Sequence, residues 1–499
     1  MELFAHLSLG LDTVFTLGNL GYCFLGVLLG TLIGVLPGLG PVATIAMLLP
    51  VTYGLPPLSA LIMLAGIYYG AQYGGSTTAI LVNLPGESSS VVTCLDGYAL
   101  ARKGRAGAAL GIAALASFFA GTVATLIIAV AASPLAEFAL KFGPAEYFSL
   151  MLLGLIAAVV LAQGDFLKAL AMVALGLLLG VVGTDVNSGE ERFTFGLPEL
   201  ADGINFVVLS MGLFGIAEII ANLEVQEKRE VFTRNIGTLL PNREEFKAAS
   251  KPALRGTLLG AVLGILPGGG AVLSSFTAYT LEKRLAKDPS RFGQGAIEGV
   301  AAPEAANNAG AQTSFIPLLV MGLPSNAVMA LMVGAMMIHG IVPGPQVMEE
   351  RPELFWGLIV SMWIGNFFLV LLNLPLVGLW ARLLSVPYRL LYPIILVFCC
   401  VGIYSINNSA FDVGLALVFG FLGFLFLKLG CEPAPLLLGF VLGPMMEENL
   451  RRAMLLARGD ATVFFTRPIS AVLLATATLL ILLLTSPWAK KTRETAFRE

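Results

Sequence analysis

Two stretches of the chain, Gly30 to Val42 (GTLIGVLPGLGPV) and Gly260 to Val272 (GAVLGILPGGGAV), are near copies of each other. They agree in register at Gly, Gly, Leu, Pro, Gly, Gly and Val, and in both an apolar run is stopped by Leu-Pro-Gly. Duplicated apolar segments broken at corresponding places mark an internally repeated membrane protein, with the breaks pointing to a transported ligand.

Composition agrees. Of 499 residues 57% are hydrophobic and 12% charged, with a mean hydropathy of +0.86, which is more apolar sequence than a water-soluble core can use. Runs at 106–132, 147–161, 206–221, 354–379, 411–427 and 469–484 approach or exceed the length that crosses about 30 Å of hydrocarbon. The longest polar stretch, 224–255, reads as a charged loop or surface helix joining two halves. No basic residue precedes the first apolar run and no small-residue cleavage site follows it, so a removable signal peptide is not expected. Cys23, Cys94, Cys399, Cys400 and Cys431 lack metal-type spacing and read as small buried hydrophobes. With no HExxH, Ser-His-Asp or paired-Asp constellation and no GxxxxGK[ST], neither an enzyme nor an ATP-driven pump is expected. A nucleic-acid partner is not expected either, and no cofactor beyond a coupling ion.

Basic residues gather at Arg102, Lys103 and Arg105, from Lys228 to Arg255, at Lys283, Arg284, Lys287 and Arg291, and in the tail at Lys490, Lys491, Arg493 and Arg498. The positive-inside tendency puts all four groups in the cytoplasm. The second copy then has cytoplasmic charge on both flanks, which predicts a re-entrant hairpin with legs of about ten residues, 258–266 and 271–281. The first copy has no Lys or Arg in its flanks, 1–19 and 51–57, and is expected to enter from the opposite face. Each hairpin precedes a second interrupted segment. One spans 58–84 with a break at Tyr73 to Thr78, the other 295–323 with a break at Glu304 to Ser314, and they end in Leu84-Pro85 and Leu323-Pro324.

The expected fold class is an all-α polytopic membrane protein of inverted-topology repeats, each with a re-entrant hairpin and a broken transmembrane helix followed by full spans, about 11 spans plus 2 hairpins in all. Residues 1–223 form the first repeat, 224–255 a cytoplasmic linker, 256–488 the second repeat and 489–499 a cytoplasmic tail. This count leaves Arg451, Arg452, Arg458 and Arg467 outside, against the charge rule.

Breaks at mid-membrane leave backbone groups for a ligand to satisfy, and half-helix N-termini after Gly40 and Gly270 suit carboxylates. The candidate substrate site is Gly38, Gly40 and Pro41 in the first tip, Gly75, Ser76 and Thr77 in the first break, Gly268, Gly269 and Gly270 in the second tip, and Asn307, Asn308, Thr313 and Ser314 opposite. Thr78, Glu304 and Gln312 are candidates for ion coupling, with sodium held by freed carbonyls or a proton on Glu304. No Arg or Lys lies in any break, so an anion would be held by dipoles and neutral donors. Several features have plainer readings. The GxxxG-like spacing of Gly26, Gly30, Gly34 and of Gly256, Gly260, Gly264 fits helix packing. Glu304 can equally cap a helix, and Glu87 with Ser88, Ser89 and Ser90 reads as a cap at a membrane surface. His6 and His339 read as structural.

The runs GTLIGVLPGLGP, YGGSTTAILVNLPGESSSV, DGYALARKGRAG, RFTFG, GILPGGG and APEAANNAGAQTSFIPLL resemble the large membrane subunit of the tripartite tricarboxylate transporter family, the TctA type, over about 18–486. The resemblance implies a bacterial inner-membrane protein working with a small four-helix membrane subunit and a periplasmic substrate-binding protein. It also implies uptake of carboxylates such as citrate driven by an ion gradient, and an elevator-like movement as in the wider ion-transporter superfamily. A standalone ion-coupled carboxylate carrier is the alternative, and a passive channel a further one.

Overall fold

In hydrocarbon every backbone N–H and C=O must find a partner within the protein, and a chain this apolar does so almost wholly as α-helix. The computed structural model describes residues 2–36, 40–162, 165–185, 187–224, 236–266, 270–384 and 388–485. In order the helices are α1 (Glu2–Val14), α2 (Leu17–Gly34), α3 (Pro41–Thr52), α4 (Pro57–Val82), α5 (Ala106–Ala139), α6 (Pro144–Leu161), α7 (Phe166–Gly180), α8 (Phe206–Glu224), α9 (Arg243–Ile265), α10 (Gly270–Leu285), α11 (Glu298–Thr313), α12 (Ala327–Ile338), α13 (Pro352–Asn373), α14 (Tyr388–Asn407), α15 (Ala410–Lys428), α16 (Ala434–Leu456) and α17 (Pro468–Thr485), with short helical turns between. Among the described residues the only strands are Gly183–Thr184 paired with Glu191–Arg192. The protein is all-α, and α2, α5, α8, α13 and α15 are long and apolar enough to cross a membrane. It is a multi-pass membrane protein. Other apolar helices fall short of the full spans expected, because turn residues stop them; α12 gives way to Gly340 at φ 67°.

The duplication reappears in the packing. Gly26, Gly30 and Gly34 line one side of α2, and a Cβ on them would lie 2.2, 2.3 and 2.3 Å from the carbonyl oxygens of Met63, Ile67 and Ala71 on α4. Gly256, Gly260 and Gly264 on α9 stand likewise, at 2.3, 2.2 and 2.3 Å from those of Ala302, Ala306 and Gly310 on α11. Residues without side chains let the two backbones touch, so the GxxxG spacing serves packing, as its plainer reading held.

Both second breaks are closed, contrary to expectation. α4 runs through Tyr73 to Thr78 and α11 through Glu304 to Thr313 without interruption. The hydroxyls of Ser76, Thr77, Thr78 and Thr313 return to the carbonyls of Gln72 (3.1 Å), Tyr73 (3.3 Å), Gly74 (3.2 Å) and Ala309 (3.0 Å), so these polar residues follow the helical ladder instead of competing with it. Only the last residue of the second expected break, Ser314, meets an irregularity. There the chain leaves α11 and widens into a helical turn at Pro317–Met321, where Pro317 has no N–H to give. The real stops are Asn83 (φ 57°) and Gly322 (φ 71°), both left-handed and both directly before the matched Leu-Pro pairs.

The helices flanking the second Leu-Pro-Gly copy, α9 and α10, are 23 and 16 residues long, more than the legs of about ten expected there, and those flanking the first, α2 and α3, are 18 and 12. The stretch read as a linker is helical from Arg243. Asn242 accepts from the Glu245 N–H while the Glu245 carboxylate takes the Asn242 N–H, and the helix they start runs unbroken into the second copy. Three of the basic regions meet at one end of the molecule. Arg105 pairs with Glu245, Lys103 reaches the Gln294 carbonyl, and the Gly107 N–H donates to Ile236. Arg451, Arg452 and Arg467, which strained the charge rule, are closed in ion pairs with Asp185 and Glu447, with Glu448, and with Glu146.

Candidate functional site

The two duplicate helices, α4 and α11, lie against each other in opposite directions: Ser76 bonds Glu304, and further back along α4 the Tyr69 ring stands 6.1 Å from Phe315, just past the end of α11. Where they cross, the interior turns polar. Glu304 is 1% exposed. Its carboxylate accepts from Ser76 Oγ at 2.7 Å, from Thr93 Oγ1, and from Ser117 Oγ of α5 at 3.4 Å. One turn on, Asn308 Nδ2 donates to Ser117 Oγ (2.7 Å), to the Glu304 carbonyl (3.0 Å) and to Asn307 Oδ1 (2.7 Å). Among the described residues no ion pair includes Glu304. It sits inside α11 and takes its bonds from side chains of three other elements, so it does not cap a helix.

A cavity of about 20 Å³ opens over Glu304, with Tyr73, Ser76, Thr77, Ser117 and Asn373 in its wall. One water needs roughly 10–15 Å³. The cavity thus fits a water or a bare monovalent cation, and no organic anion.

α11 is set in place from the other half of the chain. Asp96, fully buried, accepts from the N–H groups of Gly293 (2.9 Å), Gly295 (2.7 Å) and Ala296 (2.7 Å) with one oxygen and from Tyr279 Oη (3.0 Å) with the other. Gly299 leaves room for that carboxylate, since a Cβ there would fall 2.1 Å from Asp96 Oδ2. Four bonds to one charged acceptor fix the start of the helix that carries Glu304 and Asn308.

A second polar group lies at the start of α10. Gly270 opens α10 at φ 48°, and its missing side chain would stand 3.3 Å from Asn326 Nδ2. Asn326 caps α12 through Oδ1, which accepts the Met329 N–H at 3.0 Å, while its Nδ2 is buried without a partner. The Tyr68 phenol lies beside Ser314 and Asn326, with Glu87 in reach. Glu87 does cap Ser88–Ser90, as expected, half-buried with its side chain against Gly75 while Ser88 is exposed. At the first tip Gly40 precedes Pro41, the first residue of α3, and has nothing among the described residues within 4 Å of a Cβ position.

The other expected site residues divide. Gly38, Gly268 and Gly269 lie outside the described residues. Ser76, Asn307 and Asn308 gather at Glu304, and Thr77 lines the cavity. Thr78 is spent on the Val35 carbonyl (2.8 Å) and ties α4 to the end of α2. Thr313 and Ser314 hydroxyls serve the carbonyls of Ala309 and Ala311. Gln312 Oε1 and Asn307 Nδ2 are buried with no partner, as are both amide atoms of Gln72. His6 stacks on Trp356 at 4.7 Å between ring centroids. Thr93, Asp96, Ser117, Tyr68 and Asn326 were not read from the sequence. Thr93 and Asp96 stand beside the quoted DGYALARKGRAG run or inside it, but Ser117 is a single hydroxyl in an alanine-rich span, where a bond to the helix's own backbone is the ordinary expectation.

Comparison with known proteins gives a concordant result. The profile described as "Tripartite tricarboxylate transporter TctA family" matches residues 20–438. The chain is 60% identical, over its whole length and 99% of the relative's, to an uncharacterized 52.8 kDa protein in the TAR-I ttuC' 3' region of Agrobacterium vitis. It is 58% identical over 240 residues, 48% of this chain and 99% of the relative, to an uncharacterized protein in the TAR-II ttuC' 3' region of the same organism. No solved structure matches.

Proposed function

Because the chain belongs to the tripartite tricarboxylate transporter TctA family, we propose that it is the membrane subunit that carries carboxylates across the bacterial inner membrane, driven by an ion gradient. A periplasmic binding protein delivers the organic anion, and a small four-helix membrane subunit completes the assembly. Two inverted repeats hold the path between them and move in an elevator-like way. One observation carries this reading: duplicate helices α4 and α11 run antiparallel, and the polar cluster of an otherwise apolar chain sits where they cross. Equivalent helices in opposite directions are what an inverted repeat produces at its midplane.

Size separates the roles. The cavity at Glu304 is too small for a carboxylate cargo, so it belongs to the coupling ion, sodium or proton. The cargo binds at the tips, where Gly40 and Gly270 start half-helices and Asn326 offers a free amide donor. The test is uptake of radiolabelled citrate into proteoliposomes holding both membrane subunits, with and without the binding protein and with and without an imposed gradient. Accumulation that needs both is expected. Accumulation by this chain alone favours the standalone carrier, and equilibration that ignores every gradient favours a channel.

A further inference from the structure

We propose that Glu304 is the point at which a proton boards and leaves this carrier, its hydroxyl shell accepting either protonation state without moving a heavy atom. The coupling role rests on the transport reading; the protonation itself does not. The proton comes from the water that the cavity admits and returns to it, so a carboxylate and a hydronium ion become a carboxylic acid and water.

The partners are two-faced. Carboxylates are served by donors and carboxylic acids need an acceptor as well, and a hydroxyl is both. Ser76 Oγ, which donates to Glu304 at 2.7 Å, has the Gln72 carbonyl at 3.1 Å as its alternative. Ser117 Oγ, 3.4 Å from the carboxylate, has the Glu304 carbonyl at 3.3 Å. Each can turn its hydrogen to the backbone and present a lone pair to the protonated acid.

A metal cation asks for the opposite arrangement, several oxygens with their lone pairs turned inward. Here Ser117 Oγ already receives the Asn308 amide, and no three of His, Cys, Asp and Glu come together among the described residues. Nor, among the described residues, does an ion pair balance the charge. Facing Glu304, α4 brings Tyr73, and the segment after α4 brings Glu87 and Cys94. α5 carries no titratable side chain before Glu137. Near Gly299 the groups Asp96 and Tyr279 are closed on each other, and Arg255 of α9 pairs with Glu282 of α10. An isolated ionised carboxylate this deep is costly, and gaining a proton removes that cost.

The experiment is infrared difference spectroscopy on the full chain in lipid nanodiscs, stepped in pH in potassium chloride and again in sodium chloride. Wild type is expected to show the C=O stretch of a buried carboxylic acid, with the same midpoint in both salts. Glu304→Gln should lose the band, and Ser76→Ala and Ser117→Ala should shift it. Survival of the band in Glu304→Gln, or its removal by sodium at fixed pH, would overturn the proposal. Should Glu304→Gln not fold, an unshifted band in both serine variants does the same. In proteoliposomes holding the whole assembly, Glu304→Gln should keep citrate–citrate exchange and lose accumulation driven by a pH gradient. Loss of both would make Glu304 a cargo ligand and sink the coupling role. Where wild type moves no citrate at all, the transport reading fails while the infrared result still decides the proton.

Discussion

A methyl group at Gly260 reports directly on the duplicated packing. The added Cβ would lie 2.2 Å from the Ala306 carbonyl oxygen and 2.8 Å from its Cα, against an ordinary separation of about 3.5 Å. All three nearest atoms are backbone, so no side chain can swing away, and α9 and α11 must part by about 1 Å. Overpacking of this kind costs roughly 1–3 kcal/mol, and an unyielding neighbour puts Gly260→Ala in the upper half. At roughly 2–4 °C per kcal/mol in chains of 150–250 residues, and less in a longer one, the apparent unfolding temperature should fall by a few degrees. The same displacement shifts α11, whose Glu304 and Asn308 bond Ser76 and Ser117 at 2.7 Å, so transport should suffer beyond the stability loss. Gly30→Ala, at 2.3 Å from the Ile67 carbonyl oxygen, should behave alike. Gly21 lies on the same helix with nothing within 4 Å, so Gly21→Ala should be neutral or stabilise by up to about 1 kcal/mol through helix propensity. Intrinsic-fluorescence melts of the three variants in one lipid–detergent mixture decide it. A Gly260→Ala protein as stable as wild type, or as stable as Gly21→Ala, would refute the backbone-contact argument.

Three further outcomes are expected. Asp96→Ala strips the acceptor from the buried Ala296 N–H, at about 1–3 kcal/mol, and from the less buried Gly293 and Gly295 N–H groups, so the folded yield should fall, with Asp96→Asn intermediate; a wild-type elution profile in size exclusion would contradict this. Asn308→Ala should abolish citrate uptake at unchanged membrane abundance because Asn308 joins Ser117 to Asn307, whereas Thr313→Ala, whose hydroxyl serves only Ala309, should transport nearly normally; equal effects would argue against the difference in roles. In the loop between α7 and α8, the Asn187 N–H, Ser188 and Arg192 hold the Asp185 carboxyl well below the usual range, and Arg192 with Arg451 lowers Glu447. A depressed carboxylate adds stability above its unfolded value, near pH 4, and loses it as pH falls through the folded one, so amide exchange at 183–192 should quicken only below about pH 4; faster exchange already at pH 6 would show that other groups hold the loop.

The hydroxyls of the two expected breaks illustrate where pattern reading stops. Glycine, serine and threonine at 73–78 and at 304–314 look like helix breakers, because in isolation these residues favour turns. Inside a bundle they are compatible with an unbroken helix once Thr77, Thr78 and Thr313 bond one turn back and a neighbouring helix fills the space a side chain would need. Ser117 was invisible for a related reason: nothing local separates a serine that bonds its own helix from one that reaches across to Glu304.

What the chain's order of residues determined alone is the class of object. Its apolar content demands helices in lipid, its two Leu-Pro-Gly copies announce a duplication, and the long motifs give the family. Those properties are local or compositional, and they survive without knowledge of who touches whom. Only the tertiary structure decided that Asp96 anchors the start of α11 from the other half, that Glu304 takes three hydroxyls with no ion pair among the described residues, and that Asn326 sets a buried amide without a partner beside Gly270. Each of these joins residues from distant parts of the chain, and such meetings depend on how the glycine-faced pairs α2–α4 and α9–α11 come together, which no single segment encodes.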